Sequence, residues 1–268
     1  MLAAQRRNLI LDFLRADGAV SIGSLAERLE TSAVTIRRDL VYLDSVGMLT
    51  RTHGGAVAGA PSRESTYAEK IGQAMEEKYA IARLAATLVR DGDVIIIGPG
   101  TTTEAFAESI LDRTGLTVIT NSLPVAEAFV PATANEVIMT GGTLRASIRA
   151  FVGETTNRTL RGIHADRTFV SGNGLVADFG LSTPNMTVAD SDRAMAAAGH
   201  EVVALVDHTK FGVRTAIQTI ASEQLTHLVT DAAAPAEQLG AFARLGVALH
   251  VAQTGHVAQS GTGLLDTI

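Results

Sequence analysis

The sequence predicts an α/β protein: a short N-terminal unit of three helices and a β-hairpin, followed by a larger domain with a mostly parallel sheet. Residues 1–58 show helical spacing that ends in a Gly54-Gly55 turn. Later in the chain, short apolar runs alternate with helix-length segments, as in a parallel sheet covered on both faces. A hydrophobic content of 46% over 268 residues suffices for one or two cores. We assign residues 1–58 to the first domain, 59–74 to a linker and 75–268 to the second domain.

Composition narrows the possible function classes. The chain has no cysteine, which excludes a disulfide framework, a thiolate nucleophile and a Cys-ligated zinc, and favours a cytoplasmic location. No run approaches the roughly 18 apolar residues of a membrane span, so no membrane partner is expected. The net charge of -6 is uneven, because residues 1–58 carry +1 and the remainder carries -7. Any DNA contact must therefore depend on where the arginines lie.

The N-terminal pattern is that of a winged helix-turn-helix. Ile10 and Leu14 share one face of a first helix that ends near Asp17-Gly18, and Ser21 is expected to cap a second helix. Ser32 is expected to cap a third helix that runs to about Ser45. Two strands, at Met48 to Thr52 and Ala56 to Ala58, are then expected to form the hairpin of the wing.

The third helix has a basic outer face. When the apolar stripe of Ile36, Leu40 and Leu43 faces inward, Arg38 points almost directly away from the core, with Arg37 on one flank. Thr35 and Tyr42 lie on the other flank. An arginine guanidinium can bind a guanine edge or a phosphate through two parallel hydrogen bonds. The alternative is a solvated face paired with Asp39 or Asp44, but the third helix of such a unit commonly enters the major groove.

The second domain has an anion-binding loop at a strand end. Val94 to Ile97 form a predicted strand, followed by Gly98-Pro99-Gly100-Thr101-Thr102-Thr103 and then a helix. Backbone N–H groups at a helix N-terminus converge on phosphate oxygens, and glycine permits close approach. The alternative is a tight turn with threonine caps. Polar or glycine-rich residues also follow further predicted strands, at Thr120-Asn121-Ser122, Gly141-Gly142-Thr143, Gly172-Asn173-Gly174 and Asp207 to Gly212.

These strand ends predict one pocket, because the carboxyl ends of parallel strands share an edge of the sheet. Lys210 is more often a solvated surface charge, but its place after a strand favours a cation for the phosphate. No metal site, cofactor or catalytic residue is expected.

Several motifs resemble the DeoR family of transcriptional regulators. In the first domain these are Leu25-Ala26-Glu27-Arg28-Leu29, Thr35-Ile36-Arg37-Arg38-Asp39-Leu40 and Arg51-Thr52-His53-Gly54-Gly55-Ala56. The resemblance implies that Ser32, Thr35, Arg37 and Arg38 enter the groove of double-stranded operator DNA. It places Arg51 and His53 in the wing, although His53 could equally be a polar turn residue. Asp39 is expected to have a structural role.

The second domain is similar to the sensor domain of the same family over about Tyr79 to Asp231. The resemblance implies a Rossmann-like fold, like that of ribose-phosphate isomerases and CoA transferases, and a phosphorylated sugar or sugar-derived effector. The expected effector-binding residues are Gly100, Thr101, Thr102, Thr103, Asn121, Gly141, Gly142, Asp207 and Lys210. One position departs from the family pattern, since Asp192 stands where a lysine is common.

The expected function is therefore a repressor of a carbohydrate-catabolism operon that a phosphorylated sugar relieves. The protein is expected to be a homo-oligomer, because helix-turn-helix proteins usually bind paired half-sites and the second domain offers a surface for assembly. The alternative is a sugar-phosphate isomerase with an appended DNA-binding module, in which Asp207 or Glu104 acts as acid or base and Lys210 holds the phosphate.

Overall fold

The computed structural model describes residues 3–45, 49–52, 54–57 and 65–254. Its α-helices are α1 (Ala3–Asp17), α2 (Ile22–Arg28), α3 (Ala33–Ser45), α4 (Tyr67–Ile71), α5 (Met75–Ala86), α6 (Thr101–Glu108), α7 (Leu123–Phe129), α8 (Glu154–Leu160), α9 (Met186–Ala198) and α10 (Ala236–Arg244). None of these helices has the length and apolar content that crossing a bilayer requires.

The strands are short, with between three and seven residues each. They are β1 (Ala19–Ser21), β2 (Thr50–Thr52), β3 (Gly55–Val57), β4 (Val94–Ile97), β5 (Thr117–Thr120), β6 (Glu136–Met139), β7 (Thr143–Arg145), β8 (Ala150–Val152), β9 (Ala165–Val170), β10 (Gly174–Val176), β11 (Gly180–Thr183), β12 (Gly199–Leu205), β13 (Ile217–Ile220), β14 (His227–Asp231) and β15 (Ala248–Ala252).

The N-terminal unit is a three-helix core with a small antiparallel sheet, which confirms the predicted winged helix-turn-helix. Ile10, Leu25 and Ile36 are fully buried where α1, α2 and α3 meet. Ser21 caps α2 by accepting the N–H of Ser24 at 3.0 Å. The predicted hairpin is β2 and β3, and β1 joins it as a third strand, giving the order β1-β3-β2. At three residues, β1 is too short for a periodic signal.

The second unit is built on a seven-stranded parallel sheet in the order β15-β14-β12-β9-β4-β5-β6. The predicted strand Val94 to Ile97 is β4, with the same bounds. In β4, Ile95, Ile96 and Ile97 are all fully buried, because helices cover both faces. The predicted α/β class is confirmed.

The order in which the chain adds strands to the sheet reverses beside β4. The chain passes from β4 to β5 and β6 on one side, whereas β9, β12, β14 and β15 follow on the other. Loops that leave β4 and β9 therefore diverge and leave a crevice at the carboxyl edge, which is where ligands bind in open α/β sheets.

Two small structures outside the main sheet were not predicted. β10, β11 and β13 form an antiparallel sheet, and β7 pairs with β8 as a hairpin. The stretch assigned to the linker also contains α4, which begins at a capping box formed by Thr66 and Glu69. The domain boundaries given above stay predictions.

Candidate effector cleft and DNA-reading face

A cleft lies at the carboxyl edge of the parallel sheet. The loops that follow β4 and β9 supply Pro99 to Thr102 and Ser171 to Asn173, so the cleft occupies the crevice beside the reversal in strand order. Helices α4, α5 and α9, the segment 207–210 and Ile148 form its other walls. Of the predicted effector-binding residues, it is lined by Gly100, Thr101, Thr102, Asp207 and Lys210.

The loop before α6 presents a helix N-terminus to this cleft. Gly100 has a φ of +152°, a conformation that other residues rarely adopt, and the N–H of Glu104 donates to its carbonyl oxygen at 3.0 Å. The first N–H groups of an α-helix have no partner within the helix, so those of Thr101 and Thr102 are available to a ligand. This arrangement suits an anion such as phosphate.

A buried lysine lies beside the helix N-terminus. Lys78 of α5 is 3% exposed and lines the cleft, and its Nζ donates to the backbone oxygen of Lys70 at 2.7 Å. Burial lowers the pKa of Lys78 to about 8, although the Asp207 carboxylate raises that pKa and the Lys210 ammonium lowers it further. At neutral pH the cleft therefore holds a largely protonated amine that is poorly hydrated.

All three lysines of the chain line this one cleft. They are Lys70, Lys78 and Lys210, whereas the other 19 basic side chains are arginines. The sequence analysis selected only Lys210. Lys78 was missed, but a signal existed: it shares a helical stripe with Ile81, Ala82 and Ala85, all of which are buried. A lysine on the apolar face of a helix marks a cation held inside the fold.

Two carboxylates also line the cleft. Asp207 is buried, and its Oδ1 accepts hydrogen bonds from the N–H and the hydroxyl of Thr209, which shapes the turn that carries Lys210. Asp192 lies on α9 and is 7% exposed. The departure from the family pattern at Asp192 therefore lies in the wall of the cleft itself.

A tyrosine from the predicted linker also reaches the cleft. The hydroxyl of Tyr67, in α4, donates to Glu104 Oε2 at 2.6 Å, and the Arg149 guanidinium lies 5.1 Å from the ring centroid. Burial and the Glu104 carboxylate raise the pKa of Tyr67 to about 12, so the phenol stays protonated. Burial also raises the pKa of Glu104. The hydrogen bond between Tyr67 and Glu104 joins α4 to α6.

Four of the predicted effector-binding residues do not line the cleft. Thr103 is fully buried and donates to the Gly100 oxygen at 2.9 Å, and the Asn121 amide donates to the Phe151 oxygen at 2.8 Å. The Gly141 oxygen accepts from the Thr156 hydroxyl at 2.6 Å. At Gly142 a Cβ would lie 2.4 Å from that same hydroxyl. These contacts within the protein account for the type of residue at each of the four positions. Contact of these four residues with a ligand stays a prediction.

The outer face of α3 is basic and open to solvent. Ile36, Leu40 and Leu43 are buried while Arg37 and Arg38 are exposed, so the predicted orientation of the helix is confirmed. Ser32 caps the helix by accepting the Thr35 N–H at 3.2 Å, and the two hydroxyls lie 2.9 Å apart. Arg51 is exposed on β2, whereas His53 lies outside the described residues.

An apolar residue shares this exposed face. Val34 is 58% exposed in the first turn of α3, and the sequence analysis did not select it. A methyl group at the start of a groove-binding helix can contact the methyl group of thymine.

Asp39 joins α3 to α1 on the buried side of α3. It is 2% exposed, and its two oxygens accept from Arg6 Nε at 2.6 Å and Arg7 Nε at 2.9 Å, which confirms a structural role. The Arg7 guanidinium also lies 3.7 Å from the centre of the Tyr42 ring. Arg37 and Arg38 are therefore not needed to neutralise this carboxylate.

Comparison with known proteins covers both units of the chain. The sequence-family model of the DeoR-like helix-turn-helix domain matches residues 6–61, and the family model of the DeoR C terminal sensor domain matches residues 73–232. The lactose phosphotransferase system repressor of Streptococcus mutans is 36% identical over 86% of this chain and 93% of its own length. The putative aga operon transcriptional repressor of Escherichia coli O157:H7 is 30% identical over 91% of this chain and 92% of its own length.

The transcriptional regulator GlpR of Haloferax volcanii is 34% identical over 92% of this chain and 97% of its own length. Among solved structures, ribose 5-phosphate isomerase A of Methanocaldococcus jannaschii matches 50% of this chain and 53% of that chain, at 18% identity and a TM-score of 0.38.

Proposed function

Because this chain belongs to the DeoR family of DNA-binding transcriptional regulators, we propose that it represses a carbohydrate-catabolism operon and that a phosphorylated sugar relieves the repression. The observation that carries this proposal is the cleft, which joins a helix N-terminus to all three lysines of the chain. Relatives named as repressors of the lactose phosphotransferase system and the aga operon support the carbohydrate assignment.

The effector's phosphate group sits at the N-terminus of α6 in this proposal. Its oxygens accept the N–H groups of Thr101 and Thr102, while Lys78 and Lys210 supply positive charge. Hydrogen bonds to an ionised group are about twice as strong as those between neutral groups. The unphosphorylated sugar leaves these donors unpaired, and we therefore expect it to bind far more weakly.

Helix α4 provides the route from the cleft to the DNA-binding unit. It lies between the two units in the sequence, and it contributes Tyr67 and Lys70 to the cleft wall. The Lys78 ammonium holds the Lys70 oxygen, and a bound phosphate competes for the same ammonium. Ligand binding thereby repositions α4.

The DNA-binding unit acts through the exposed face of α3. Arg37 and Arg38, together with Ser32, Thr35 and Tyr42, approach the major groove, and Arg51 and His53 of the wing approach the backbone. The protein binds its operator as a homo-oligomer, since two symmetric half-sites need two reading helices.

A band-shift titration on the DNA upstream of the protein's own gene tests this function, with sugar phosphates and their free sugars added in parallel. A phosphorylated sugar should release the DNA, and its unphosphorylated parent should not. Amine-reactive labelling gives a second measurement, because the cleft contains every lysine. The effector should protect Lys78 and Lys210 from the reagent. Release without protection of these lysines would move the effector site elsewhere.

An isomerase remains the second candidate, and the same samples test it. Of its two candidate acid–base groups, Glu104 is not among the residues lining the cleft and is hydrogen-bonded to Tyr67. Asp207 holds the Thr209 turn. We therefore expect no turnover of pentose or hexose phosphates by the purified protein. Turnover that Asp207→Asn abolishes would favour the enzyme instead.

A further inference from the structure

We propose that Val34 recognises the methyl group of a thymine in the operator, close to the base that Arg38 contacts. This inference rests on the proposed function, because it assumes that α3 enters the major groove. It gives the exposed face of α3 a second kind of base recognition, since the valine side chain makes only apolar contacts whereas the arginines around it form hydrogen bonds.

Val34 lies in the first turn of α3, on the side that faces away from the core. Ile36 is fully buried, and a helix turns by about 100° per residue, so residues 34 and 38 both lie nearly opposite Ile36. Val34 is accordingly 58% exposed, the highest value among the large apolar side chains that the structure describes in residues 3–57. Packing within the N-terminal unit therefore does not account for a valine at this position.

Val34 and Arg38 are neighbours on the outer surface of α3. Residues four positions apart in a helix have Cβ atoms about 5 to 6 Å apart, and successive base pairs of B-DNA are about 3.4 Å apart. A helix that presents Arg38 to one base therefore presents Val34 to a base within about two base pairs of it. Val34 is also the nearer of the two to the N-terminus of α3, the end from which recognition helices contact base edges.

The chemistry of the major groove selects the partner of this side chain. The base edges present hydrogen-bond donors and acceptors there, and the C5 methyl group of thymine is the apolar substituent among them. Contact between this methyl group and Val34 is favourable because it removes both apolar surfaces from water. Against a polar base edge, the valine would instead displace water from a donor or acceptor without replacing its hydrogen bond. Val34 is thus a specificity-determining residue in this proposal.

Replacement of thymine by uracil in the operator tests this contact directly. Uracil keeps the O4 acceptor of thymine and loses only the methyl group. The operator is first selected from a library of random DNA duplexes with the full-length wild type, and the same selection with Arg38→Ala locates the base that Arg38 contacts. Band-shift titrations then give the Kd for duplexes in which uracil replaces one thymine at a time in one half-site.

Uracil at one thymine within two base pairs of the Arg38 contact should raise the wild-type Kd about fourfold, the value of one methyl-sized group removed from water. In Val34→Ala, which lacks both γ methyl groups, the same exchange should change the Kd less than about twofold. Val34→Thr retains one γ methyl group and should keep part of the effect, which gives a second variant if the alanine variant does not fold. Val41→Ala is the matched control, because Val41 is 47% exposed on the same face about 10 Å further along α3, and it should keep the full effect.

The outcomes separate this inference from the proposed function. An operator without thymine in that interval, no effect of uracil there on the wild type, or an equal effect on wild type and Val34→Ala overturns the thymine contact and leaves α3 as the reading helix. Loss of the effect in Val41→Ala also overturns it. Smaller oligomers of Val34→Ala in size-exclusion chromatography, with the uracil effect unchanged, would assign this face to a second copy of the chain instead. If no operator is selected, or if Arg38→Ala binds it as tightly as the wild type, the proposed DNA contact is wrong and this inference is wrong with it.

Discussion

Nζ of Lys78 lies 2.7 Å from the backbone oxygen of Lys70 and donates a hydrogen bond to it, which ties α5 to α4 at the wall of the cleft. Ammonium groups are rarely buried without a charged partner, and here Asp207 raises the pKa of Lys78 against the effect of burial. The same ammonium therefore takes part in the packing of α4 and in the charge of the cleft.

Effector affinity should decrease as the pH rises from 7 to 9. The pKa of Lys78 in the free protein is about 8, so deprotonation over this interval removes a positive charge that would meet the phosphate. Calorimetry at several pH values measures the effect. Lys78→Gln should bind weakly and lose most of this pH dependence, whereas Arg83→Gln, an exposed change on the same helix, should keep it. An identical profile in Lys78→Gln would exclude Lys78 as the titrating group.

Arg38→Ala should weaken operator binding by about 1 to 3 kcal/mol, the usual value of one bidentate base contact. The fold should be unaffected, because Arg38 is exposed on α3. A band shift over a range of salt concentrations gives the affinity, and Arg83→Ala serves as a control for the loss of one positive charge. If Arg38→Ala binds as tightly as the wild type at every salt concentration, α3 is not the reading helix.

Asp39→Ala should destabilise the N-terminal unit by about 3 kcal/mol, since it leaves the partly buried guanidinium groups of Arg6 and Arg7 without their carboxylate. Hydrogen exchange of α1 and α3 peptides measures the local loss. Asp17→Ala breaks an exposed pair with Arg28 and should cost less than about 1 kcal/mol. Equal effects of the two substitutions would contradict the anchoring role of Asp39.

Acidification should destabilise the second unit through a histidine pair on β14 and β15. Nδ1 of His227 lies 3.1 Å from Nε2 of His250. Burial is the main cause that lowers the pKa of His250 below its usual 6.5, and the charge of the neighbouring His227 is the second. The unfolded chain therefore binds more protons than the folded chain, and the free energy of unfolding falls as the pH falls below about 6.5.

Urea denaturation at pH 7.5, 6.5 and 5.5 checks this dependence. His250→Gln should reduce it, and His164→Gln, at an exposed position, should leave it unchanged. A wild type that is equally stable at all three pH values would contradict the lowered pKa of His250.

Much of the fold follows from patterns that are local in the sequence. The burial of Ile36 and Leu40 and the exposure of Arg38 come from helical periodicity, which is set by the order of apolar and polar residues within the stretch itself. The central strand β4 is a continuous apolar run, Val94–Ile97, and it leads through a short loop to the helix N-terminus at Gly100. For the same reason, the predicted loop residues Gly100 to Thr102 line the cleft.

The other walls of the cleft depend on which distant segments meet that loop. Tyr67, Lys78 and Asp192 reach it from α4, α5 and α9, and no spacing in the sequence relates them to Gly100. Asn121 and Gly142, by contrast, also follow strands but satisfy neighbouring backbone and threonine groups. The sequence by itself determined the three helices of the N-terminal unit, the exposed arginines and one helix end suited to an anion. Only the tertiary structure decided which charges surround that helix end, because the order of strands and the packing of helices are set by contacts between residues far apart in the chain.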